Sequence, residues 1–169
     1  MRTIDDITRP LDYLSPMDAP LRKIIREWAD TEVIPYRRRF DEDYAEHRLI
    51  EPAFDKLMGE YGMQRVLFPS DLGGWGMGSS NYFTTAAFML CEEVSRADSG
   101  MGVAFAVVHW PLLMICVEPH VNRELCEEFA PIFCSTTKAR FAANAMTEPQ
   151  GGSDIENMEI VKGSTIQTT

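Results

Sequence analysis

NYFTTAAFMLCEEVSRADSGMGVAFAVVHWPLLMICV, residues 81–117, decides the fold. In its first half Phe83, Ala86, Ala87, Leu90, Cys91 and Val94 recur with the 3.6-residue period of a helix, so residues 81–96 predict an amphipathic helix that lays one face on a core. Asp98 or Ser99 then offers a side-chain oxygen to the amides that open a second helix. That helix, residues 99–117, carries no formal charge with His109 neutral. It has too few polar positions to own a solvent face, which predicts a place in the middle of a helical bundle. Its length is near the minimum for crossing a bilayer, but His109, Trp110 and Pro111 fall near its middle, where lipid would leave a polar ring and a broken ladder unsatisfied. The expectation is a helix buried in protein, with no transmembrane segment.

Outward from this pair, Leu21, Ile24, Ile25 and Trp28 stand at i, i+3, i+4 and i+7 and predict a helix from residue 18 to about 40, kinked or ended by Pro35. A further helix is expected over residues 51–60, stopping near Gly62. Residues 68–80, FPSDLGGWGMGSS, read as a loop, because Gly73, Gly74, Gly76 and Gly78 punctuate them. After the apolar helix, Val121, Leu125, Phe129 and Ile132 mark a short helix with Glu124, Glu127 and Glu128 on its other face. From Lys138 the character changes. KARFAANAMTE (138–148) and IVKGSTIQTT (160–169), with Gln150, Gly151, Gly152, Ser153 and Asp154 between them, read as strand, turn, strand. Two strands are no stable sheet, so they read as the start of an unfinished β domain. The expected fold is mainly α: a helical domain over 1–134, then the opening strands of an incomplete β-barrel domain over 135–169.

Composition narrows the functions. The 169 residues carry 16 Lys+Arg against 26 Asp+Glu, a formal charge of −10, with acidic excess in both halves. Binding to nucleic acid needs a basic face that displaces counterions, and none is expected here. Cys91, Cys116, Cys126 and Cys134 form no CxxC pair, and the gaps joining Cys116, His120, Cys126 and Cys134 match no common metal-ligand spacing. They read as reduced thiols of a cytoplasmic protein, and no metal is expected. The first residues, with Asp5, Asp6 and Asp12, do not resemble a secretory or transit leader.

Motifs narrow them further. GGWGMG (73–78) is not GxGxxG and follows no β-rich run, so it reads as a loop rather than a phosphate cradle. The P-loop, HExxH, GxSxG and EF-hand patterns are absent from the sequence. AMTEPQGGSD (145–154) carries more information. A threonine at a strand end can exchange a hydrogen bond with a heteroaromatic ring, and Gly-Gly-Ser can turn successive amides toward a pyrophosphate. The same residues also make an ordinary turn, and on chemistry alone both readings stand.

TEPQGGSD (147–154) resembles the TEPxxGSD signature of the acyl-CoA dehydrogenase family. FPSDLGGWG (68–76) resembles that family's PEEYGGxG loop, EEVSRADS (92–99) resembles its EELxRxDxS helix junction, and His109 stands about where many members have a histidine. The order and spacing agree over most of the chain from Asp18 onward. The resemblance implies FAD and an acyl-CoA thioester: a carboxylate removes the α-proton while the β-hydrogen passes to the flavin, and hydrogen bonds to the thioester oxygen strengthen as enolate charge grows.

Carried over by position, residues 144–153 are the first flavin-contacting segment. The segment begins at Asn144 and Ala145, with Met146 and Thr147 beside the ring and Gly152 and Ser153 near the pyrophosphate, Ser153 also touching the acyl-CoA. Ala104, Phe105, Val108 and Leu112 become candidates for the wall of the acyl pocket, though an ordinary core role fits them equally. Glu148 is read as structural, because the resemblance assigns the base to a later domain, so no catalytic residue is expected in this chain. The family's second flavin segment and C-terminal four-helix bundle are also missing. The expectation is therefore an N-terminal fragment or split subunit, active when a C-terminal half or partner chain completes it. An oligomer, and an electron-transfer flavoprotein as acceptor, fit the same resemblance. Two alternatives stay open: a non-catalytic docking or regulatory module that pairs with a full-length relative, and a flavin oxidase or monooxygenase of the same fold.

Overall fold

The computed structural model describes residues 18–43, 45–81 and 83–145. Helix α1, Asp18–Trp28, buries Leu21, Ile25 and Trp28, whereas Ile24 is 44% exposed. The stripe is narrower than expected because Ile24 and Ile25 sit 100° apart around the axis. Beyond Trp28 the chain stays helical but changes its winding. A π turn (Ala29–Val33) and a 3-10 turn (Ile34–Tyr36) carry it past Pro35 into α2, Arg37–Glu42. Proline has no amide to continue the ladder and crowds the preceding turn, so the winding, rather than the helix, gives way.

Helix α3, Ile50–Phe54, continues as a π segment, Asp55–Glu60, and ends at Gly62, whose φ of 74° lies in the left-handed region. Helix α4, Phe83–Ala97, and helix α5, Ser99–Cys116, are joined by Asp98 alone. Asp98 is extended and its carboxylate accepts from Met101 N at 2.9 Å, so of the two expected caps the aspartate serves. α4 packs on both α5 and α1. Asn122 caps α6, Arg123–Phe133, by accepting from Leu125 N at 3.2 Å.

Three expectations are corrected. First, α5 is not wrapped on all sides. It buries Met101, Phe105, Val108, His109, Leu112 and Cys116, while Val103, Trp110 and Met114 are 63, 48 and 72% exposed. The helix is long and apolar enough by composition to cross a membrane, yet one face is packed into the helical core. Second, the buried face of α6 is Cys126, Ala130 and Phe133, and Ile132 is exposed. Small Cys126 and Ala130 let α6 approach the end of α5, where the Cys126 thiol donates to Ile115 O at 3.1 Å.

Third, residues 138–145 form no strand among the described residues. Their main chain bonds side chains of the π segment after α3 and of the turn that follows it, not a neighbouring strand. The remainder of the first expected strand and all of the second lie outside the described residues.

The glycine-rich stretch is a loop, as its spacing suggested, with 3-10 turns at Ser70–Leu72 and Met77–Ser79. A Cβ on Gly74 would lie 2.1 Å from Phe68 O, and one on Gly78 would lie 2.2 Å from Cys116 O, so the loop folds tightly on itself and against the end of α5. Gly73 N, Gly74 N and Gly76 N donate to Ser70 O, Pro69 O and Phe68 O. Amides committed in this way do not cradle a phosphate.

Candidate functional site

Two faces of α4 have separate tasks. Ala86, Met89, Leu90, Glu93, Val94 and Ala97 are buried, whereas Phe83, Ala87 and Cys91, at i, i+4 and i+8, turn with Leu90 toward a cavity shared with α5. From α5 come Phe105, Ala106, His109, Trp110 and Leu113, and Val66, Leu67 and Met77 close the remaining side. The cavity measures about 110 Å³, several times what a water molecule needs, and is lined almost wholly by carbon. His109, buried, stands between two main-chain carbonyls, with Nδ1 2.6 Å from Phe105 O and Nε2 3.0 Å from Met63 O. The ring is thus occupied by the scaffold and pins α5 to the turn after α3. Burial pushes the Cys91 thiol up, so it lines the cavity as a small neutral group.

The frame of this cavity is ionic. Glu93 is completely buried on α4 and accepts from Arg22 Nε at 2.6 Å and from Arg26 Nε and Nη2 at 2.9 and 2.7 Å. Arg96 donates to Asp30 at 2.8 Å. Residues 92–98, which carry the helix-junction motif, are therefore structural: Glu93 and Arg96 tie α4 to the first helix and the π turn, and Asp98 starts α5. Asp71 in the glycine-rich loop takes two bonds from Arg123 at the start of α6, at 3.1 and 2.6 Å. The Arg123 guanidinium holds the Asp71 carboxyl below the usual carboxylate range.

A second feature controls how the chain leaves the helices. Gln64, 1% exposed, donates through Nε2 to Thr136 O and Lys138 O, both at 3.2 Å, and accepts from Arg140 N at 2.8 Å. Asp55 accepts from Ala139 N at 2.8 Å and from Lys138 Nζ at 2.5 Å. Phe141 meets Phe54 edge to face, with ring centroids 5.5 Å apart.

Of the expected wall residues, Phe105 lines the cavity. Val108 and Leu112 are buried in the core, and Ala104 is half-buried against it, on the side of α5 turned from the cavity. Asn144 and Ala145 are exposed at the end of the described chain. Met146, Thr147, Glu148, Gly152 and Ser153 lie outside the described residues. The helical period puts Phe83, Ala87 and Cys91 in the core stripe, and no pattern in the sequence singles out Gln64 or Asp55. The i, i+4, i+8 spacing of the first three was a visible signal. For Gln64 there was none, since its partners lie more than 70 residues away.

The four cysteines are free, and Cys116 and Cys126 face each other with sulfurs 3.6 Å apart. Among the described residues no three His, Cys, Asp or Glu side chains gather as metal ligands.

The family model described as acyl-CoA dehydrogenase, N-terminal domain, matches residues 16–137. Among curated relatives, the short-chain-specific acyl-CoA dehydrogenase of Clostridium acetobutylicum is 28% identical over 134 residues, covering 79% of this chain and 32% of the relative. The mitochondrial short-chain-specific acyl-CoA dehydrogenase of Sus scrofa is 30% identical over 134 residues (79 and 30%). The mitochondrial isovaleryl-CoA dehydrogenase of Pongo abelii is 26% identical over 150 residues (89 and 33%). No solved structure matches. The chain spans about a third of the length of these relatives. With the motifs in order, the helical architecture that joins them and a family model matched over most of its length, the chain belongs to the acyl-CoA dehydrogenase family and carries that family's N-terminal helical domain.

Proposed function

We propose that the chain is the N-terminal part of an FAD-dependent enzyme that dehydrogenates acyl-CoA thioesters at the α,β-bond once a C-terminal half or partner chain completes it. The apolar cavity between α4 and α5 carries this reading. Both His109 nitrogens face main-chain carbonyls and, among the described residues, no carboxylate lines it, so its fitting occupant is a hydrocarbon tail, and a base must come from elsewhere. Phe105, Trp110 and Leu113 bind that tail and keep water from it. The outward face of α5 supports incompleteness, because Val103, Trp110 and Met114, at i, i+7 and i+11, leave apolar surface exposed among the described residues.

Residues 144–153 are the flavin-contacting segment of this proposal, within a middle β domain that opens near residue 135. Asn144 and Ala145 are exposed, as suits a segment lying against a ring bound from outside. FAD, when bound, supplies the electron sink for the β-hydrogen. Met146 and Thr147 orient the ring, Gly152 and Ser153 hold the pyrophosphate, and Ser153 reaches the acyl-CoA.

The test is to purify the chain alone and together with a polypeptide supplying the remaining two-thirds of the family's length, and to measure flavin absorbance and acyl-CoA oxidation. Flavin and activity in the completed assembly only are the expected result. Stoichiometric flavin on the chain alone contradicts the incompleteness, and an assembly that forms without flavin overturns the enzyme reading. The outward stripe of α5 also favours a second reading, a docking module for a full-length relative. Under that reading Ser153→Ala leaves the flavin content and activity of the partner unchanged.

A further inference from the structure

We propose that Gln64 and Asp55 are positioning residues: together they clamp residues 136–140 in place of a neighbouring strand and so set the path by which the chain enters the flavin-contacting segment. The inference rests on the proposed function for what the segment does, but the clamp itself is geometry.

A primary amide carries the same donor and acceptor pair as a peptide group. Gln64 presents that pair to Thr136 O, Lys138 O and Arg140 N, so one side chain gathers three main-chain groups of a bent segment. Asp55 takes Ala139 N, between the residues that Gln64 holds, and fastens the neighbouring Lys138 side chain as well. One short segment is thus held by two side chains from the region of α3. The approach is close: a Cβ on Gly59 would lie 1.9 Å from Thr137 O, so only glycine lets the π segment meet residue 137. Phe54 against Phe141 ends the contact, and Asn144 follows three residues later, within about 10 Å of extended chain.

An apolar residue at position 64 would seal the core with no directional demand. A buried carboxamide carries a desolvation cost unless its partners stand in one register, and here all three do. The arrangement selects a single path for residues 136–140, since shifting the chain by one residue would take Thr136 O, Lys138 O and Arg140 N away from the carboxamide together.

The test uses amide hydrogen exchange on the full chain and FAD titration of the assembly completed with the remaining two-thirds of the enzyme. Gln64→Met is expected to speed exchange at Arg140 at least tenfold and to weaken FAD binding about tenfold. Gln64→Glu keeps an acceptor for Arg140 N but turns a buried carboxylate oxygen toward Thr136 O and Lys138 O, so it should speed exchange at least as much as Gln64→Met. Because a core substitution can loosen the helices, Ala139→Pro serves as the second variant. It removes the amide hydrogen that Asp55 accepts at a half-buried residue outside the helices, and it should also weaken FAD binding while the thermal midpoint of the helical domain stays within about 2 °C.

Faster exchange with unchanged FAD affinity in both variants overturns the positioning role. Unchanged exchange in Gln64→Met overturns the clamp. A wild-type assembly that takes up no FAD overturns the flavin reading instead, and the exchange rates still decide the clamp.

Discussion

Arg26 meets Glu93 in a two-bonded fork, Nε to Oε2 at 2.9 Å and Nη2 to Oε1 at 2.7 Å, and Arg22 adds a third bond to the same carboxylate at 2.6 Å. Glu93 has no exposed surface, so its charge is sustained by these two arginines of α1, with Arg96 Nε more distant at 3.4 Å. Removing one partner of a buried ion pair leaves the other uncompensated, typically at a cost of about 3–5 kcal/mol. Glu93→Gln keeps the shape and loses the charge. It should lower the unfolding free energy by about 3 kcal/mol, read from urea denaturation.

The same carboxylate sets a pH dependence. Burial pushes the Glu93 carboxyl up, but the hydrogen bonds and charges of Arg26 and Arg22 outweigh burial and hold it below its usual value. A group whose folded-state pKa is depressed stabilises the fold above its unfolded value, about 4.3 for glutamate, and loses that contribution as the pH falls through the folded value. The urea midpoint should therefore hold steady from pH 7 to about 5 and drop below about 4, with a shallower drop in Glu93→Gln.

Two glycines in one loop should respond differently. Gly76 has φ of 68° but no atom nearer than 3.8 Å to an added Cβ, so Gly76→Ala meets only backbone strain of about 1 kcal/mol. Gly74→Ala places a methyl 2.1 Å from Phe68 O and forces the loop open, which should cost about 3 kcal/mol or more. Thermal denaturation of the two variants separates the effects.

The outward stripe of α5 predicts a split between stability and assembly. Val103 and Met114 are mostly exposed, so Val103→Ser and Met114→Ser should change the stability of the chain by less than about 0.5 kcal/mol each. In the completed enzyme the same changes should reduce co-purification and flavin content. Full assembly of the double variant would show that this face stays in solvent.

Thiol reactivity offers a last check on packing. Burial, the contact with Cys126 and the neighbouring Cys134 together push the Cys116 thiol far above its usual range, and Cys116 and Cys126 are both buried. Neither should react with a thiol reagent at pH 7.5 until denaturant is added, although their sulfurs face each other at 3.6 Å. Fast labelling of Cys126 in the native chain would mean that the end of α5 opens readily.

Local chemistry was enough to announce the helices. The period through Phe83, Leu90 and Val94, the cap at Asp98, the break in winding at Pro35 and the glycine-rich loop all follow from neighbours a few residues apart. The family resemblance likewise rests on short motifs that can be read in order. Position around a helix was less legible. α5 is apolar on two faces, so hydrophobicity alone does not say which face meets the core; Val108 and Leu112 face it, while Val103 and Met114 do not.

What the sequence determined by itself is the order of the helices and the family they belong to, because periodicity, capping and motif spacing are properties of adjacent residues. Only the tertiary structure decided that Glu93 anchors α4 to α1, that Phe105 rather than Leu112 lines the cavity, and that Gln64 holds the chain near Arg140. Each depends on a hydrogen bond or contact between residues brought together by folding, and no pattern along the chain encodes such a meeting until the helices have packed.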